Sequence, residues 1–410
     1  MGLPWERLLA VSDGRMRSSA IRDLLAVTMQ PEVISFAGGL PASDFFPVDG
    51  LRASFDAVIR EQGAAALQYG PTEGHPALRA WVVEHLARRG IHTSVAEVLI
   101  TTGSQQALDL LGKALLAEGS PLAVEAPSYV GALNAFLPHQ PKFVPVPMDD
   151  QGLRVDLLDA ALDHAGAPAA LLYTVATFQN PSGCTMSLPR RHALISVATK
   201  RALPIVEDDP YGELRFAGED VPPLRALPGG EETIYLGTFS KILAPGLRVG
   251  WVVAPRPLIE RLVMAKQAAD LHTDSLAQRA LLHYCTHNDL AAHVEQLRLV
   301  YRERRDAMLD ALARHLPSEA RWTTPEGGLF VWVTLPPGVD SAALLRAALL
   351  QKVAFVPGGA FHVDGGGAGS MRLSFSHASP PSIEEGVRRL GEAVRAHARA
   401  ASGSPVLAGS

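Results

Sequence analysis

The sequence predicts an α/β fold: a large domain with a mostly parallel central sheet covered by helices, then a smaller α+β domain. Three observations predict it. The chain has 410 residues, more than one core usually organises. Between Val98 and about Tyr284, short apolar runs alternate with longer helical patterns. After Thr286 the character changes, from buried-strand runs to one long helical stretch followed by strand-like segments.

The elements come in order. Strands are expected at VLIT (98–101), PLAVEA (121–126), ALLYTV (170–175), LPIVED (203–208), TIYLGTF (233–239) and VGWVVAP (249–255). These runs are continuously apolar, as strands buried on both faces must be. Helices are expected between them, at SQQALDLLGKALLAE, SLPRRHALISVATKRA and the amphipathic PLIERLVMAKQAADL. A long helix from roughly Asn288 to His315 then precedes RWTTPEG, GLFVWVTL and MRLSFS, which read as strands. The expected division is an N-terminal arm with part of the small domain (1–45), a large domain (46–287), a small domain (288–402) and a flexible tail (403–410).

Composition narrows the function. Net charge is −5, which disfavours nucleic acid or an anionic membrane as the main partner. Cys184 and Cys285 make neither a disulfide framework nor a metal pattern, which fits a reducing cytoplasm. The 14 histidines show no ligand spacing, so no metal is expected. MGLPWERLLAVSDGRMR has no apolar segment after a basic start, so no signal peptide is expected. No apolar run reaches the roughly 20 residues of a membrane span.

In α/β sheets the ligand sits at the carboxyl ends of the strands, so the residues just past each strand are informative. After VLIT comes TGSQQAL: Gly103 permits a tight turn, Ser104 can cap, Gln105 is next, and free N–H groups at a helix start suit phosphate. After PLAVEA comes the ring of Tyr129, and after ALLYTV comes Asn180. LPIVE leads into Asp208, Asp209, Pro210 and Tyr211. TIYLGTF leads into Ser240 and Lys241, with Arg248 seven residues on. One ligand would use all of these: it has a phosphate, an aromatic ring, a basic ring nitrogen, a phenolic oxygen and an aldehyde. That ligand is pyridoxal 5′-phosphate. Lys241 would be its Schiff-base lysine. Asp208 would keep the ring nitrogen protonated, and Tyr129 would lie on the ring face. Asn180 and Tyr211 would reach the phenolic oxygen, while Arg248, Ser104 and the helix start would hold the phosphate. Asp209 reads as a turn or helix cap.

TFSKILAPGLRVGW resembles the Schiff-base segment of fold type I aminotransferases of classes I and II, and EDDPYGEL resembles their Asp-x-x-Tyr segment. SSAIRDLL, ISFAGGLP, LQYGPTEGHPALR, TTGSQQALDL, FQNPSG, PEGGLFVW and MRLSFS are similar to the branch holding 2-aminoadipate, kynurenine and multisubstrate aminotransferases, and they occur in that order. The resemblance implies a substrate-carboxylate role for Arg372, with Asn180 supporting it. It implies that Tyr69 reaches the phosphate of a neighbouring subunit, hence a homodimer with shared sites. It places Gly39 near the substrate, and Arg22 on an N-terminal helix that can meet a side-chain carboxylate. Two departures stand out. Ala176 replaces a proline common in relatives, and His362 with a glycine-rich loop comes after Phe361.

The resemblance implies a ping-pong transamination from an amino acid to a 2-oxo acid, 2-oxoglutarate being the expected acceptor. The same fold also serves β-lyases and decarboxylases, because the cofactor stabilises any α-carbanion. The sensor domain of MocR-type regulators resembles this branch as well. Those carry a winged-helix domain ahead of it, whereas about thirty residues precede ISFAGGLP here. An aminotransferase is therefore the expectation.

Overall fold

The computed structural model describes Trp5 and residues 32–401. Its strands are β1 (Ile34–Ser35), β2 (Val98–Thr101), β3 (Pro121–Ala126), β4 (Lys142–Asp149), β5 (Gly152–Leu153), β6 (Leu171–Thr174), β7 (Ile205–Asp208), β8 (Ile234–Thr238), β9 (Gly250–Val253), β10 (Arg321–Trp322), β11 (Phe330–Thr334), β12 (Val353–Ala354), β13 (Val356–Pro357) and β14 (Ser370–Ser374). Its helices are α1 (Val48–Gln62), α2 (Ala64–Leu67), α3 (Pro76–Ala87), α4 (Ser104–Leu115), α5 (Val130–Phe136), α6 (Val155–Ala165), α7 (Leu188–Arg201), α8 (Arg256–Ala269), α9 (Ser275–His287), α10 (Leu290–His315), α11 (Ser341–Leu350) and α12 (Pro380–Ala401). None of the described helices is long and apolar enough to cross a membrane.

Eight strands form one sheet in the order β2-β9-β8-β7-β6-β3-β4-β5. Pairing is parallel from β8 through β7, β6 and β3 to β4. Every residue of β2, β6, β7, β8 and β9 is buried, which accounts for their mostly apolar sequences, with Glu207 and Asp208 of β7 the buried acids. Helices cover the sheet: Leu108 and Leu111 of α4 pack in one core with Val124, Leu236 and Val252. Truncating such a leucine to alanine costs about 2–5 kcal/mol.

Two features of this sheet position the site. The chain steps from β3 outward to β4, then returns to the other side of β3 for β6, so the gap between β3 and β6 is a topological switch point. Strand β9 runs antiparallel to both of its neighbours, with Gly250 opposite Thr101 and Thr238. Its amino end therefore lies at the carboxyl ends of β2 and β8. That is how Arg248, two residues before β9, reaches the same rim as Lys241.

A second sheet is antiparallel, in the order β10-β11-β14-β13. Arg372 sits on its inner strand β14, paired with Trp332 on one side and Val356 on the other. Strand β1 pairs with β12, which carries Phe36 and Ala37 toward Arg372. Helices α9, α10 and α11 each begin at an aspartate whose carboxylate accepts a first-turn N–H: Asp274, Asp289 and Asp340.

Two sequence expectations need correction. Strand β4 with its partner β5 was not foreseen. Its segment KFVPVPMD carries Pro145 and Pro147, which ordinarily argue against a strand. They are tolerated because β4 lies near the sheet edge, where β5 joins it only at Met148 and Asp149. Asp209 caps nothing. Its carboxylate is buried and accepts from Arg89 Nη2 at 2.8 Å and Tyr235 OH at 2.9 Å.

Candidate active site

A cavity of about 420 Å³ opens at the carboxyl ends of the parallel strands. Its lining includes Gly39, Ser104, Gln105, Tyr129, Asn180, Asp208, Tyr211, Ser240, Lys241, Arg248 and Arg372. The fold thus brings together eleven of the residues singled out in the sequence, from two sheets and the loops around them, at positions 39 to 372. Gly103 sits directly behind the rim. Tyr69 is outside the cavity, 79% exposed, with its ring edge-on to His272. Arg22 lies outside the described residues. A larger groove of about 640 Å³ lies elsewhere, and several of its charged residues are in ion pairs: His85 with Glu213, Arg89 with Asp209, and Arg215 with Glu326.

Each side chain is placed by a local device. Lys241 Nζ donates to the Gly39 carbonyl at 2.9 Å. Burial, reinforced by the charges of Arg372 and Arg248, lowers its ammonium to about 8. Asp208 ends β7 and is buried. Its Oδ2 accepts from Tyr173 OH at 2.9 Å, whereas Oδ1 has no partner. Burial pushes the Asp208 carboxyl up to about 7, and nearby Asp209 adds to the rise. An acid held with one oxygen free in a dry site is suited to a cationic N–H.

Arg372 is 1% exposed. Nη1 donates to Asn180 Oδ1 at 2.8 Å and Nη2 to the Ala37 carbonyl at 2.6 Å, while Nε is unpartnered. The guanidinium lies 4.2 Å over the Phe330 ring and 5.1 Å from that of Phe361. Burial lowers its pKa to about 10, so it stays charged at neutral pH. Burial likewise raises the Tyr211 phenol, which is hydrogen-bonded to Asn180.

The opposite end of the cavity is built for an anion. Helix α4 begins at Ser104 after Gly103, whose φ is +75°. That positive φ suits glycine, and a Cβ at Gly103 would lie 2.4 Å from Arg248 Nη2 and force the guanidinium to move. Gly250 is equally crowded: its Cβ would lie 3.0 Å from Ser104 N. Ser104 Oγ is buried without a partner. Arg248 itself adopts φ 53° and reaches Thr102 O and Pro245 O at 3.4 and 3.3 Å, weak contacts that leave the guanidinium free to turn. Gln105 Nε2 bridges to Gly131 O at 2.8 Å and so steadies the Tyr129 segment.

Three unpartnered buried atoms, Asp208 Oδ1, Ser104 Oγ and Arg372 Nε, belong to residues that line one cavity. A ligand with a cationic ring nitrogen, a phosphate and a carboxylate would satisfy all three. Several contributing residues were not foreseen. Val175, Thr238 and Phe330 line the cavity. Phe330 lay inside the PEGGLFVW segment, and nothing in that segment marked its ring as the surface under Arg372. Behind the wall, buried Glu125 accepts from Thr174 Oγ1, Val175 N and Gln179 Nε2, and so fixes the loop that carries Asn180.

Comparison with known proteins gives this geometry a family. The model of the family described as "Aminotransferase class I and II" matches residues 42–390. The chain is 46% identical over 396 residues to the 2-aminoadipate transaminase of Thermus thermophilus, covering 96% of this chain and 98% of that protein. In structure it is similar to LysN, the alpha-aminoadipate aminotransferase of Thermus thermophilus complexed with N-(5′-phosphopyridoxyl)-L-leucine. The TM-score is 0.90 at 44% identity, covering 97% of this chain and 100% of that one. It is similar as well to a Pyrococcus horikoshii kynurenine aminotransferase in complex with PMP, with TM-score 0.92 and 41% identity, covering 96% and 98%. With the lysine, aspartate, tyrosine and two arginines in one cavity and a match along most of its length, this chain belongs to the class I and II aminotransferases.

Proposed function

We propose that this aminotransferase binds pyridoxal 5′-phosphate and carries amino groups from an amino acid to a 2-oxo acid in a ping-pong cycle. The observation that carries the reading is the trio of unpartnered atoms, Asp208 Oδ1, Ser104 Oγ and Arg372 Nε, on residues that line the Lys241 cavity. When bound, the cofactor ring accepts the electron pair left at the amino acid's α-carbon.

The chain's own residues do the rest. Lys241 Nζ would hold the aldehyde end and, as the free amine, would take the α-proton. An ammonium lowered to about 8 gives up its proton near neutral pH far more readily than an ordinary lysine, so the neutral amine is available for both tasks. Asp208 would stay ionised against the ring nitrogen, because a cation there would offset the burial that otherwise pushes it up to about 7. Tyr129 would cover one face of the ring. Tyr211 and Asn180 would hold the phenolic oxygen. Ser104, Gln105, Arg248, Ser240 and the start of α4 would hold the phosphate. Arg372 grips the α-carboxylate, which orients the α-hydrogen toward Lys241.

The relatives' names support 2-aminoadipate or an aromatic amino acid such as kynurenine as donor, and 2-oxoglutarate is the proposed acceptor. Gly39 would stand next to the donor's side chain, where Arg22 would meet a terminal carboxylate. Tyr69, largely exposed in the single chain, would complete the phosphate site of a second copy in a homodimer. The proposed division puts the cofactor on residues 46–287 and the substrate-carboxylate face on 288–402. The test is Lys241→Ala: it should retain pyridoxal phosphate without a covalent bond and lose turnover. A fully active Lys241→Ala protein would exclude the scheme.

A further inference from the structure

Behind the phosphate-facing turn lies a lysine that the reaction does not use. Lys266, on α8, is fully buried. Its Nζ donates to Gln106 Oε1 at 2.7 Å and to the two carboxylate oxygens of Asp270 at 2.8 and 3.0 Å. Both partners hold the turn. Gln106 Oε1 also accepts from Thr102 N at 2.8 Å. Asp270 Oδ2 also accepts from Gln106 Nε2 at 2.6 Å and from Thr102 Oγ1 at 2.8 Å. Thr102 Oγ1 lies a further 3.1 Å from Thr273 Oγ1. The two residues that bracket Gly103–Gln105 are therefore tied to one ion pair.

A buried ammonium is costly, and a methionine would fill similar volume without a charge to desolvate. Stability alone does not explain the pair. What the pair supplies is direction. Its donors and acceptors fix Thr102 N, Thr102 Oγ1 and both ends of the Gln106 amide at once. The N–H groups of Ser104 and Gln105 are then held at the open end of α4, while Gly103 N–H is spent on Thr101 O at 2.8 Å. Thr102 O, fixed by the same contacts, is the carbonyl that Arg248 Nη2 approaches.

Resting on the cofactor reading above, we infer that the Lys266–Asp270 pair is a positioning device for the phosphate end of the pocket, holding the 102–106 turn in its anion-accepting shape. The test uses the cofactor-free full chain. Pyridoxal phosphate and pyridoxal, which lacks the phosphate, are each titrated into wild type, Lys266→Met, Asp270→Asn and Thr102→Val. The inference expects pyridoxal phosphate to bind about tenfold more weakly to the variants, with pyridoxal within about twofold of wild type. Inorganic phosphate should compete correspondingly less well. Thr102→Val removes one hydroxyl from a half-buried site, so it keeps the test open if Lys266→Met does not fold. An equal loss for both ligands, or no loss for either, overturns the inference. Wild-type protein that shows no preference for the phosphorylated ligand overturns the cofactor reading itself, and the inference with it.

Discussion

Replacing Arg372 by lysine isolates the substrate-carboxylate contact. The charge survives, but the planar fork does not. In the native site two of the three guanidinium nitrogens are committed, to Asn180 Oδ1 and Ala37 O, and Nε is free. A lysine reaching the same place can replace one of these bonds but cannot present two parallel N–H groups to a carboxylate. The expected loss is one charge-assisted hydrogen bond, about 1.5–3 kcal/mol, hence about tenfold to 150-fold. The assay compares two donors in the first half-reaction: an amino acid, and the matching primary amine without the carboxylate. The ratio of their kcat/KM values should fall by that factor in Arg372→Lys, almost wholly through the amino acid. If both donors lose equally, Arg372 acts on the pocket's architecture, and the reasoning that assigns it to the carboxylate fails.

Four further predictions rest on the same geometry. Gly103→Ala adds a left-handed strain of about 1–3 kcal/mol and a Cβ 2.4 Å from Arg248 Nη2, so pyridoxal phosphate should bind about tenfold more weakly while pyridoxal changes little; equilibrium titration checks it. In cofactor-free protein the Lys241 ammonium, lowered to about 8, should lose its proton there, so the rate of reaction with a small aldehyde should rise with pH around 8; a rise only near about 10.4 would contradict it. The linked stability has a definite sign: the unfolded chain binds the extra proton between about pH 8 and the ordinary lysine range, so this residue adds stability as pH rises through that window. Asp209→Ala strips Arg89 of its carboxylate and should cost about 3 kcal/mol, the low end for a buried pair because 20% of the Arg89 side chain is exposed; an unchanged urea midpoint would show that Tyr235 alone suffices.

Much of this molecule could be read from local sequence, and the exceptions share a cause. The six buried strands announced themselves because burial on both faces favours apolar residues, and the strand's carboxyl end is where an α/β sheet places its chemistry. Lys241, Asp208, Tyr211 and Arg372, which line one cavity, are singled out by that rule together with the family resemblance. Strand β4 was missed because prolines at 145 and 147 contradict strand propensity, and only its place near the edge permits them. Asp209 was misread because its partner Arg89 lies 120 residues away, and no local pattern shows such a pair. The same holds for the tyrosine behind Asp208, for Glu125 under the Asn180 loop, and for Lys266, whose acceptor Gln106 is 160 residues distant. Long-range polar contacts have no periodicity to betray them.

The central claim is tested most directly by the visible spectrum of the purified protein before and after addition of a single amino acid, with no oxo acid present. The account predicts that the absorbance of lysine-bound pyridoxal phosphate is replaced by that of pyridoxamine phosphate, with one 2-oxo acid released per site. A spectrum that shifts and then stays fixed, or that yields ammonia or carbon dioxide in place of the oxo acid, would contradict it.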